Sequence, residues 1–129
     1  MKSATIKIIT NNQIVFDKYQ NITSLQDCSV EDIFILARDE IHLGAKLINH
    51  PLCGSIKPNE SPYKSLVLSG ERGSLDTDSL LLIESAFATL RKLPKRERKL
   101  SERVQNDFQV IDLDLLDSAI AALPSNYYF

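Results

Sequence analysis

Cysteine is scarce in this chain: Cys28 and Cys53 are its only two, and no CxxC pair occurs. That excludes a disulfide framework and a standard zinc site, and leaves two buried or idle thiols as the plain reading. Histidine is equally sparse, with His42 and His50 alone, and their spacing matches no zinc-ligand pattern. Of four glycines, none falls in a Walker sequence or a GxGxxG, so the usual phosphate-cradling loops are absent. No nucleophile elbow is found. Long apolar runs are also missing: nothing approaches the roughly 18 residues of a membrane span. The start, MKSATIKIITNN, lacks a signal-peptide core, so the cytoplasm is the expected compartment. Net charge is only -2, which gives no global pull toward nucleic acid or an anionic membrane. Neither is expected as a partner.

What remains is the composition of an ordinary globular protein, 43% hydrophobic and 25% charged. At 129 residues a single domain, 1–129, is expected, large enough to bury a core without disulfides or metal.

Thr5 to Thr10 (TIKIIT) alternates apolar and polar residues and is rich in β-branching, which predicts a strand, with Asn11-Asn12 as the turn behind it. Ile14, Val15 and Tyr19 suit a short helix, and Ile22 to Leu25 a second strand. Ser29 and Asp32 open a helix over about 30–43, whose apolar residues Val30, Ile33, Phe34, Ala37 and Ile41 recur at helical spacing until Gly44. Arg38, Asp39 and His42 form its polar face. Ser65 to Ser69 reads as a buried strand ended by Gly70. Asp76 or Thr77 caps a helix through Leu80, Ile83, Phe87 and Leu90, broken by Pro94. The charged segment KRERKLSERVQND reads as a solvated helix. Phe108 to Ile111 reads as a brief strand, and Asp112 as the cap of a last helix ending at Pro124. The tail Tyr127-Tyr128-Phe129 is apolar enough to dock on the body.

Strands alternating with helices predict an α/β fold: one small domain with a mostly parallel three- to four-stranded sheet flanked by helices in Rossmann-like layering. Ligands of such sheets bind beyond the carboxyl ends of the strands. That rule points to Thr10, Asn11 and Asn12, and to Ser69–Arg72, as site edges.

The stretch GAKLINHPLCGSIKPNESPYKS, Gly44 to Ser65, fits neither helix nor strand. Connections this long are usually functional loops or linkers, and its prolines and apolar anchors Leu52, Ile56 and Tyr63 favour an ordered loop. Lys46, Lys57 and Lys64, beside serine and asparagine side chains, suit a phosphate or carboxylate. His42 and His50 are the candidate acid–base groups, since imidazole titrates near neutrality. Solvated lysines and structurally bonded histidines are the competing readings. The six basic residues from Arg91 to Lys99 have no aromatic among them to stack on bases, so a solvated face explains them better than a nucleic-acid patch.

The words RDEIHLG, HPLCGSIKPNESPYKS and DFQVID, with TIKIITNN ahead of them, resemble the GrdX family, small proteins encoded alongside the glycine reductase genes of amino-acid-fermenting anaerobes. The resemblance covers nearly the whole chain. Its signature falls on Asn11, Asn12, Arg38, Asp39, His42, Gly44, His50, Pro51, Gly54, Ser55, Lys57 to Glu60 and Pro62 to Ser65, and on the Asp107–Asp112 segment. Cys53 sits at a variable position. The resemblance implies a genomic association with glycine, sarcosine or betaine reduction and names no reaction.

These readings lead to an expected accessory or regulatory protein that binds a small anionic metabolite, or a reductase component, through the 44–65 loop. The expected ligand-binding residues are Asn11, Asn12, Arg38, His42, His50, Ser55, Lys57, Asn59, Tyr63 and Lys64, with Arg38 and His42 lining the same site as the loop. No metal or cofactor is expected, and a homo-oligomer stays open. The rivals are a small enzyme using His42 or His50 as general acid or base, and a structural assembly factor whose loop is an interface.

Overall fold

In a computed structural model that describes residues 4–52, 60–94 and 99–128, the first strand, β1 (Ala4–Thr10), is the centre of the sheet. It pairs in parallel with β2 (Thr23–Leu25) in the register Ile8 to Thr23, and antiparallel with β3 (Ser65–Ser69) in the register Ile8 to Val67. A two-residue strand, β4 (Tyr127–Tyr128), runs parallel to the start of β1. Two of the three pairings are therefore parallel, and the sheet is open with the order β2-β1-β3. The expected α/β architecture is found.

The connections follow from local chemistry. Asn12 caps the short helix α1 (Gln13–Lys18), its side-chain oxygen accepting from the Ile14 N–H. Ser29 caps α2 (Val30–His42) through the Asp32 N–H, and Asp76 caps α3 (Thr77–Lys92) through Ser79. Pro94 follows the last turn of α3, as expected of a residue that cannot continue a helix. The final helix, α4, is continuous from Glu102 to Ala121 and is capped by Ser101. The strand expected at Phe108–Ile111 is thus helix, and Asp112 lies inside α4 rather than at its cap.

Helices cover both faces. α2 and α3 pack on one face, where Ile9, Leu66 and Leu68 meet Ile33, Phe34, Ile41, Ile83 and Phe87. α1 and α4 cover the other, where Ile6, Ile8 and Val67 meet Val15 and Leu116. The alternation of β1 accounts for this split, since successive side chains point to opposite faces.

The first part of the long irregular stretch is an edge partner of β3. The Ile48 N–H donates to the Val67 carbonyl, the Ser69 N–H to the Lys46 carbonyl, and Leu47 bridges Leu68 in the antiparallel sense. Gly44 starts this segment at φ +113, and a Cβ there would lie 2.4 Å from the Gly73 nitrogen, so the close approach of these two turns needs glycine.

Candidate functional site

Beyond the carboxyl end of β1, three segments far apart in the chain are joined by side-chain hydrogen bonds. Asn11 donates from its amide to the carbonyls of Cys28 (2.9 Å) and Pro62 (2.8 Å), and its oxygen accepts from the Lys64 N–H at 2.9 Å. It thereby staples the Pro62–Lys64 segment to the loop before α2. Asn12, fully buried, donates to the Gln109 carbonyl (2.9 Å) and to Asp112 Oδ2 (3.0 Å). Both amide hydrogens of each asparagine are used within the protein.

Asp112 is the centre of this arrangement. It is 8% exposed, and its Oδ2 also accepts from the Ser65 hydroxyl at 2.7 Å. Because the Ser65 hydrogen goes to the carboxylate, the Thr10 hydroxyl donates to Ser65 across 2.7 Å, and Thr10 in turn accepts from the Asn12 N–H at 3.0 Å. This directed chain, amide to hydroxyl to hydroxyl to carboxylate, lets each bond polarise the next. Burial pushes the Asp112 carboxyl above its ordinary range, and the bonds from Ser65 and Asn12 with the Lys64 charge oppose that rise only in part.

Beside this network lies a cleft of about 380 Å³ lined by Asn11, Asp27, Cys28, Pro62, Tyr63, Leu100 and Gln105. Tyr63 is held there by Ser61, whose hydroxyl accepts from the Tyr63 N–H. The Cys28 thiol is half-buried, and burial, with the charges of Asp32 and Asp27, pushes its pKa up, which disfavours the nucleophilic thiolate.

The structure gathers some of the expected site residues and separates others. Asn11, Asn12, Tyr63 and Lys64 share the carboxyl end of β1. His50 lies at the same end, because the segment before it runs antiparallel to β3 and Asn49 donates to the Ser65 carbonyl. The His50 ring accepts at Nδ1 from the Leu52 N–H (3.0 Å), a local turn contact. His42 ends α2 at the opposite end of the sheet, where the Leu43 carbonyl accepts from the Gly73 N–H behind β3. It does not share the place of His50 or Lys64, so the expected common site fails for it. Arg38 fails likewise: it lies in the seam between α2 and α3, 3.2 Å from Glu84 and 5.1 Å from the centre of the Phe87 ring. Neither histidine lines this cleft or the larger groove described below. Ser55, Lys57 and Asn59 lie outside the described residues.

A model of the family described as GrdX-like protein matches residues 7–121. The chain belongs to the GrdX-like family. No curated protein and no solved structure matches it.

The segments NN, PYKS and DFQVID, remote in sequence, converge on Asp112. That role of Asp112 was missed in the sequence reading because a lone aspartate after an apolar run looks like a helix cap. Its place in the word DFQVID was the available clue. A larger groove, about 750 Å³, opens between β1, β2 and α2, where Lys7 and Glu40 pair at 2.6 Å. Among the described residues expected from the resemblance, Asp39 alone lies in its wall. The smaller cleft, bordered by Asn11, Pro62 and Tyr63, is therefore the better candidate.

Proposed function

We propose that this GrdX-like protein is an accessory protein of the glycine reductase system, which engages a reductase component or a small anionic ligand at the carboxyl end of β1. The observation that carries this reading is the convergence there of three separated segments around one buried carboxylate. Asn11, Asn12 and Asp112 are the frame, Tyr63 lines the cleft, and Lys64 and His50 are the further contact residues at the same end of the sheet. A frame that uses its polar groups internally holds the contact residues in fixed positions, and pre-organisation of this kind lowers the ordering cost of binding.

The test is a binding titration of the whole protein against purified reductase components, alongside thermal shift with phosphate, acetate and glycine. Wild-type protein is expected to bind one of these, and Tyr63→Ala with Lys64→Ala to weaken binding by roughly tenfold while the variant still unfolds in one cooperative transition. No binding to any of them, or equal binding by the double variant, removes the proposal.

A further inference from the structure

A second surface lies on the outer side of α4, the helix whose inner side carries Gln105, Gln109 and Asp112. α4 carries five carboxylates, Glu102, Asp107, Asp112, Asp114 and Asp117, against a single base, Arg103. Two of the acids are accounted for: Asp112 is buried in the network above, and Asp117 accepts from Tyr19 (2.5 Å) and Lys18 (2.9 Å) of α1. Asp107 and Asp114 are exposed and make no ion pair among the described residues. They lie two turns apart on one line of the helix.

On the neighbouring line, also two turns apart, are Val104 and Ile111, each 38% exposed, and Val110, 52% exposed, lies beyond the two aspartates. Apolar side chains bracket the two carboxylates, with Arg103 one turn before Asp107 as the one base on the same line, and form a mixed apolar and predominantly acidic ridge. α2 and α3, both long, pack on each other, while among the described residues the main helical neighbour of α4 is the six-residue α1.

We infer that the outer face of α4 docks an amphipathic helix of a partner protein that carries lysine or arginine beside its apolar residues. Charge selects this occupant over a second copy of the chain. An antiparallel two-fold pairing centred between Val110 and Ile111 would set Asp107 of one copy opposite Asp114 of the other, a like-charge contact repeated by symmetry. A basic flank places cations against both aspartates, while its apolar side covers Val104, Val110 and Ile111.

The probe is a synthetic helical peptide with leucines on one face and lysines flanking them, titrated by anisotropy into the full chain with amide chemical shifts recorded. Controls are the same peptide with glutamates for lysines and a scrambled lysine peptide that is not amphipathic. The lysine helix is expected to bind and to shift amides of α4. Asp107→Lys with Asp114→Lys, exposed changes that leave the fold intact, is expected to weaken it roughly tenfold or more. Val110→Ala with Ile111→Ala is expected to weaken it without changing the salt dependence. Binding equal to that of the scrambled peptide, shifts confined to other elements, or indifference to the aspartate reversal overturns the inference. So does a dimer in sedimentation that Ile111→Glu disperses, since a second copy then covers the ridge.

Discussion

The two faces of the sheet are built from different chemistry. Under α2 and α3 the contacts are apolar and aromatic: Phe34 and Phe87 meet edge to face at 6.0 Å, and the Arg38 and Arg91 guanidinium groups lie 5.1 and 4.4 Å from the centre of the Phe87 ring. Under α1 and α4 a smaller apolar cluster shares the layer with a buried aspartate, two hydroxyls and an asparagine. Apolar burial is strong and undirected, whereas buried hydrogen bonds are modest in net energy and demanding in geometry. The first face supplies most of the stability, and the second fixes where Asn12, Ser65 and Asp112 stand.

The largest expected effect tests the first half of that contrast. Phe34→Ala, which empties a fully buried site, is expected to cost roughly 3–5 kcal/mol in denaturant unfolding. A cost under about 1 kcal/mol would show that the α2–α3 face is not the stabilising one.

Asp112→Ala should cost less, about 2 kcal/mol, because it leaves the Asn12 amide and the Ser65 hydroxyl without their buried partner. Its amide shifts should concentrate at Asn12, Lys64 and Ser65. The sign of the pH effect follows from the raised carboxyl. Below the ordinary value of 3.8 Asp112 is protonated whether the chain is folded or unfolded. As pH rises from there through the raised folded value, the unfolded chain releases the proton first, so this residue's contribution to stability falls, and it stays at the lower level at neutral pH. Asp112→Asn should remove that fall, as read from unfolding curves across the acid range. An unchanged pH profile would mean that the carboxyl titrates normally.

Tyr19→Phe is the smallest change expected, on the order of 1 kcal/mol or less, since it removes one half-exposed hydrogen bond to Asp117. Burial and that bond push the Tyr19 hydroxyl up to about 12. Burial draws Asp117 upward, but Tyr19 and Lys18 outweigh it and hold it below its ordinary value. Asp117 therefore contributes stability above its unfolded value, which is lost as pH falls through the folded one. The variant should reduce that acid loss, opposite in sign to the change at Asp112. A spectrophotometric titration showing an ordinary tyrosine at position 19 would contradict the assignment.

Much of the frame was legible beforehand, and the failures are instructive. α2 and α3 carry clean periodicity because each turns one face to the core, while β1 and β3 are short apolar runs buried on both faces and bounded by a turn or a glycine. α4 misled because its apolar residues are divided: Leu113, Leu116 and Ile120 face the sheet, while Val104, Val110 and Ile111 face outward. No single 3.6-residue stripe results, and FQVI followed by aspartate imitates a strand and a cap. Asn11 and Asn12 were expected from the strand-end rule and the resemblance to bind ligand, and the structure shows both side-chain amides bonded within the protein.

By itself, the amino-acid order determined most of the element types outside α4, the α/β class and the family, because these depend on local periodicity, capping and long distinctive words. Only the tertiary structure decided that NN, PYKS and DFQVID meet at one carboxylate and that His42 and His50 lie at opposite ends. The partners of Asn12 in α4 are 97 and 100 positions away, and bonds across such separations are set by how helices pack on a sheet rather than by any local pattern.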